Sequence, residues 1–176
     1  MKKWGVVVAV AVLVAVAACD TAQSAIGVGV DWAGNGLVPM MILPIKLQSG
    51  LTIEPMLGFE RLDPKGHSDG GTTIDVGGRV SKAMSASGTT PVFGGYALVH
   101  LTTPDVVTGT APDSYTDFEI GVFLGGSASL GDKIDIVGSW GPTVTVNGKR
   151  SSDGDSSTDF DSRASITLRW WLWGTR

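Results

Sequence analysis

Helical periodicity is what this 176-residue chain lacks most. Beyond Gln23 no stretch of eleven or more residues holds apolar side chains at i, i+3, i+4 and i+7 between capping residues, so the chain reads as all-β. Cysteine is nearly absent: Cys19 stands alone, and no internal disulfide can form. Histidine is scarce, at two residues. Positive charge is short as well. From Cys19 onward eleven Lys and Arg face seventeen Asp and Glu, a net of −6. No basic patch interleaved with aromatics occurs, which excludes nucleic acid as a partner. Glycine is abundant, at 25 residues, but without the period of a collagen or a solenoid. No apolar run reaches the ~20 residues of a comfortable membrane-spanning helix.

The longest such run, Trp4 to Ala18, follows the basic start Met1-Lys2-Lys3. That order reads as a secretory signal over residues 1–18; the alternative is an anchor that is never cut. Val16-Ala17-Ala18-Cys19 resembles the bacterial lipoprotein box, making Cys19 a lipidation candidate. The same small residues also suit plain cleavage after Ala18. Residues 19–24 form a short linker, and residues 25–176 one domain.

What the domain does have is alternation. Leu51, Ile53, Pro55, Leu57 and Phe59 share one face, and Thr52, Glu54, Met56, Gly58 and Glu60 the other. Eight segments repeat this period of two, at 25–32, 39–47, 51–61, 72–84, 91–101, 115–129, 133–146 and 160–173. Several exceed the ~5–6 residues of an ordinary strand and match the ~9–11 of a strand crossing a bilayer. The links after strands two, four and six are short, and those after three, five and seven are long; the first link is modest. Such a meander has two unlike ends, as transmembrane barrels do. An exported N-terminus then places both termini on the periplasmic side.

Alternation alone leaves the direction of the apolar face open. A soluble barrel hides it inside and a membrane barrel shows it to lipid. The polar faces carry both signs in mid-strand: Asp31, Lys46, Glu54, Asp75, Arg79, Glu119, Asp135, Arg163 and Arg169. Inside a narrow barrel these must pair into an ion network. Trp32, Tyr115, Trp170, Trp171 and Trp173 lie near strand ends, where aromatic rings mark membrane interfaces. Pro44, Pro55 and Pro142 fall inside expected strands, where each removes a ladder donor, so bulges or different strand limits are expected there.

With these features the chain resembles the small outer membrane β-barrel family, the eight-stranded type seen in the outer membrane protein A barrel and its single-domain relatives. The resemblance covers about residues 25–173. It implies an eight-stranded antiparallel up-and-down transmembrane barrel in the cell outer membrane. It also implies contact with outer membrane lipids and lipopolysaccharide, and recognition by the barrel assembly machinery. In that family the last strand usually ends on Phe or Trp; Ile166, Leu168, Trp170, Leu172 and Trp173 resemble that signal, and Gly174-Thr175-Arg176 runs past it.

No catalytic, cofactor or metal residues are expected. His67 sits in a polar loop, and His100 ends a strand without the Ser partner of lipid A deacylases. Ser151 to Asp161 reads as an acidic surface loop without EF-hand spacing. The expectation is a non-enzymatic, monomeric barrel serving membrane integrity or surface contact. The alternatives are a narrow porin-like pore for small or apolar molecules, using the space at Gly27, Gly29, Gly58, Gly77, Gly121 and Gly125, and a lipid-anchored soluble lipocalin-like barrel.

Overall fold

The computed structural model describes residues 25–33, 38–62, 71–84, 89–105, 114–148 and 155–173. The signal, Cys19, His67 and Gly174 to Arg176 lie outside the described residues. Nine strand segments follow in chain order: β1 Ala25–Ala33, β2 Val38–Ile42, β3 Ile45–Lys46, β4 Leu51–Leu62, β5 Gly71–Ala83, β6 Thr90–Pro104, β7 Tyr115–Leu130, β8 Ile134–Asn147 and β9 Ser157–Trp173. β2 and β3 are two pieces of one stave, both lying between β1 and β4. Every neighbouring pair is antiparallel, and β1 closes onto β9, so the sheet is an eight-staved up-and-down barrel. Closure leaves no free edge along the paired stretches.

The prolines act without shifting the register. Ile42 stands opposite Gly29 and Ile45 opposite Ile26, three residues apart on both strands. The stave is interrupted at Leu43 and Pro44 because Pro44 has no N–H to donate. Its carbonyl still accepts from Gly27 N–H at 2.9 Å, and Pro55 accepts from Leu43 N–H at 3.1 Å. Pro142 stays in β8, paired with Ser162, while the β7–β8 ladder skips from Gly121↔Thr143 to Leu124↔Trp140. The bulge lies elsewhere: Ile26 faces Trp173 and Gly27 faces Trp171, leaving Leu172 as the extra residue.

Register also sets the tilt. Followed from Gly29 through Ile42, Met56, Gly77, Leu98, Glu119 and Thr145, the row reaches Asp159 on β9. Gly29's own partner on β9 is Arg169, ten residues further along. A stagger of ten over eight staves inclines the strands by roughly 40° and leaves an interior that side chains can fill.

The faces settle the direction left open by alternation. Asp31, Thr52, Glu54, Asp75, Arg79, Asp117, Thr143, Thr167 and Arg169 are buried inside. Leu57, Phe59, Phe118, Ile120, Val122, Leu124, Trp140 and Ile166 stand exposed on the outer wall, Leu124 at 68%. The soluble lipocalin-like alternative fails on this point, because water would meet the apolar face and the core would be ionic. Among the described residues no helix is long and apolar enough to cross a membrane; this barrel presents its strands instead. Below, the end holding Ala25 and Trp173 is the terminal end, and the opposite one the far end.

Candidate functional site: an ion-paired lumen

The lumen holds two ionic clusters stacked along the axis. In the first, Glu54 from β4 receives two arginines. Arg79 Nε donates to Glu54 Oε2 at 2.6 Å. Arg169 Nε donates to Oε1 at 2.7 Å, and its Nη2 to Oε2 at 2.9 Å. This fork on a carboxylate is the strongest side-chain pairing available. Arg79 Nη1 also donates to Asp31 Oδ1 at 3.1 Å, and the Thr167 hydroxyl donates to the same oxygen. Two acids thus balance two guanidiniums, with Glu54 at 0% exposure. Alternation delivers all four: Asp31, Glu54, Arg79 and Arg169 are each on the inner face of their strand, and the register brings Glu54 directly opposite Arg79.

The second cluster lies toward the far end and centres on Glu119. Tyr96 donates to its Oε1 at 2.8 Å, and Arg163 Nη1 donates to the same oxygen at 3.0 Å. His100 lies between two carboxylates, with Nδ1 2.7 Å from Asp75 Oδ1 and Nε2 3.1 Å from Glu119 Oε2. The Arg163 guanidinium sits 5.3 Å from the Tyr96 ring centroid, a cation–π distance. Tyr96, His100, Glu119 and Arg163 are half-buried, while Asp75 is buried.

Apolar packing fills the rest. Met40, Ile42, Met56 and Leu98 form a buried cluster with Tyr96 against it. The space expected at the lumen glycines is occupied: a Cβ at Gly121 would lie 2.6 Å from the Tyr96 ring. Between the two clusters a void of about 10 Å³ remains, room for about one water. Arg79 Nη2 is buried there without a partner among the described residues.

Of the expected network, Asp31, Glu54, Asp75, Arg79, Glu119, Arg163 and Arg169 fall into these two clusters. Asp135 does other work: it accepts from Trp171 Nε1 at 2.6 Å and from Ser129 Oγ at 2.7 Å. Lys46 is half-buried at the terminal end, and among the described residues no ion pair holds it. Trp32, Trp170 and Trp173 stand on the outer wall, Trp173 at 62% exposure. Trp171 and Tyr115 do not belong to an outer girdle. Trp171 shares the inner face with Thr167 and Arg169 and is buried; Tyr115 shares the inner face with Asp117 and Glu119, opposite Thr102. Period two forces this, since neighbours in a strand cannot both face lipid. The acidic run Ser151 to Asp161 is not all loop either, since β9 begins at Ser157.

The sequence reading does not place His100, Tyr96, Thr167 or Ser81 at this site; the Ser81 hydroxyl accepts from Arg169 Nη2 at 3.5 Å in the first cluster. For His100 the signal was available: it falls in step with Gly94, Tyr96 and Leu98 along β6, which continues to Pro104. The histidine belongs to the lumen. Among the described residues no group of three or more His, Cys, Asp or Glu could hold a metal ion.

A closed eight-staved barrel with an apolar outer wall and a charge-paired interior is a membrane β-barrel. The solved structures it is similar to are small outer membrane barrels. Neisserial surface protein A (NspA) superposes with a TM-score of 0.54 at 14% identity, covering 84% of this chain and 95% of that one. A major outer membrane protein from Thermus thermophilus gives 0.48 at 13% identity, over 84% of this chain and 99% of that one. No protein-family model matches the chain, and no curated protein does.

Proposed function

We propose that the protein is a sealed, non-enzymatic barrel of the bacterial outer membrane, with both termini periplasmic and the long links outside. In this reading it serves membrane integrity or surface contact and conducts nothing. One observation carries the proposal: Glu54 is held by Arg79 and Arg169 across the lumen, and among the described residues the void between this cluster and that of Glu119 has room for about one water. Opening a path there would separate buried charges from their partners, which costs several kcal/mol. The test is conductance in planar bilayers. The purified barrel is expected to give a flat baseline. Reproducible single-channel steps would sink this reading in favour of the narrow pore. Export with removal of residues 1–18 and lipidation of Cys19 belong to the same proposal. Intact mass of the mature protein tests both, with an acylated Cys19 at the N-terminus as the expected species.

A further inference from the structure

A run of small residues crosses the inner face of four staves. Gly125, Ser139, Ser165 and Ala33 are successive partners in one row over β7, β8, β9 and β1, and none is longer than serine. The larger inner side chains Arg79, Tyr96, Leu98 and Phe123 come from β5, β6 and β7. Where the two sets meet, the lumen is not quite filled, and the void of about 10 Å³ between the ionic clusters is what remains. Its lining residues lie in mid-strand, away from either rim.

The lining is of two kinds. Met56, Leu98 and Phe123 are apolar; Asp31, Arg79, Ser139 and Ser165 are not. An empty cavity is apolar throughout, whereas a polar one with room for a water and about two to four hydrogen-bonding partners holds that water. Arg79 sets the first requirement. It is 3% exposed; its Nε donates to Glu54 and its Nη1 to Asp31, and its Nη2 meets no described partner. A guanidinium nitrogen only donates, so the occupant must accept. The Phe123 ring, 5.7 Å from Arg79 Cζ, offers no lone pair. Asp31 and the serines set the second requirement. Asp31 takes its described bonds on Oδ1, and the Ser139 and Ser165 hydroxyls, 2.8 Å apart, share one hydrogen between them. The remaining lone pairs are served by an occupant that also donates. Charge excludes a halide: Asp31 and Glu54 already balance Arg79 and Arg169, and an anion would add a third negative charge beside them.

We infer that the void holds one resident water, which accepts from Arg79 Nη2 and donates to Asp31 and to the Ser139–Ser165 pair. That water ties the Glu54 cluster to the small-residue side of the wall, and Arg163 of the second cluster borders the same space. The inference concerns what completes the lumen, and it stands whether or not the barrel conducts. Channel steps in planar bilayers would sink the sealed reading and leave the water in place.

The test is a crystal structure of the full chain, grown from detergent with sodium bromide and measured at the bromine absorption edge. The expected result is one density peak within hydrogen-bond distance of Arg79 Nη2, refining as an oxygen with no anomalous signal. An anomalous peak there would make it an anion site, and an absence of density would make it a dry void; either overturns the inference. Two variants give a second readout. Ser139→Ala removes a hydroxyl and leaves the room, so the peak should stay. Ser139→Val puts methyl groups into the void, and should lose the peak and unfold at lower urea than Ser139→Ala, even though valine suits a strand better than alanine. A dry void reverses that order, because filling an empty cavity stabilises. A valine variant at or above the alanine one therefore overturns the water as well. A heat-dependent gel shift checks that both variants are folded; if the valine variant is not, the crystals of the unaltered protein decide alone.

Discussion

The two lumen clusters use the same chemistry at different depths. Around Glu54 every charged side chain is at most a few per cent exposed, and two acids meet two arginines. Around Glu119 the ionisable partners Asp75, His100 and Arg163 are 11–20% exposed, and a phenol joins them. A buried pair contributes little net stability over apolar packing, yet breaking it is expensive because the surviving charge has no water to turn to. The deep cluster is therefore the stricter of the two. It fixes which staves face one another, and the outer cluster can exchange protein contacts for solvent.

Breaking each cluster should expose that difference. Glu54→Gln leaves Arg79 and Arg169 with Asp31 as the remaining counter-charge, and a loss of about 3–5 kcal/mol is expected in urea unfolding from detergent or vesicles. Glu119→Gln should cost less, about 1–3 kcal/mol, because Arg163 and His100 can rehydrate. Equal losses in the two variants would show that depth does not rank them. Trp171→Phe keeps the buried ring and removes the bond to Asp135, and should cost about 1 kcal/mol in the same assay. At the far rim, Arg61 lies 3.7 Å from Asp105 with its side chain 58% exposed. Arg61→Gln should move stability by less than about 1 kcal/mol, an effect that added salt erases.

Much of this was legible in the sequence, for physical reasons. Period two is a property of extended backbone, so Leu51 to Phe59 announced both a strand and its two faces. Link lengths announced a meander with unlike ends. The direction of the faces was not legible, because Leu, Ile and Val suit a core and a bilayer alike. It took the burial of Glu54 and Arg79 beside the exposure of Leu124 to decide. Partner choice was hidden as well. It depends on register, and register brings Glu54 opposite Arg79 and Asp75 opposite His100. The type of His100 alone points nowhere; its step along β6 with Tyr96 and Leu98 is what turns it inward. Trp171 and Tyr115 were read as girdle from their type and position near strand ends, although parity already turned them inward.

The two prolines that flank the seams of the second stave, Pro44 within it and Pro55 on β4 facing it, have a mechanical meaning. Pro44 and Pro55 sit one rung apart on facing strands. A hoop under tension parts where its fastening is thinnest, and here one donor is missing on each side of the second stave, Pro44's toward β1 and Pro55's toward Leu43. Amide hydrogens of Met41 and Leu57 should exchange before those of Val76 and Val99, in the unbroken β5–β6 ladder. If so, the barrel comes apart by releasing its second stave, and docking that stave is the last event when it forms.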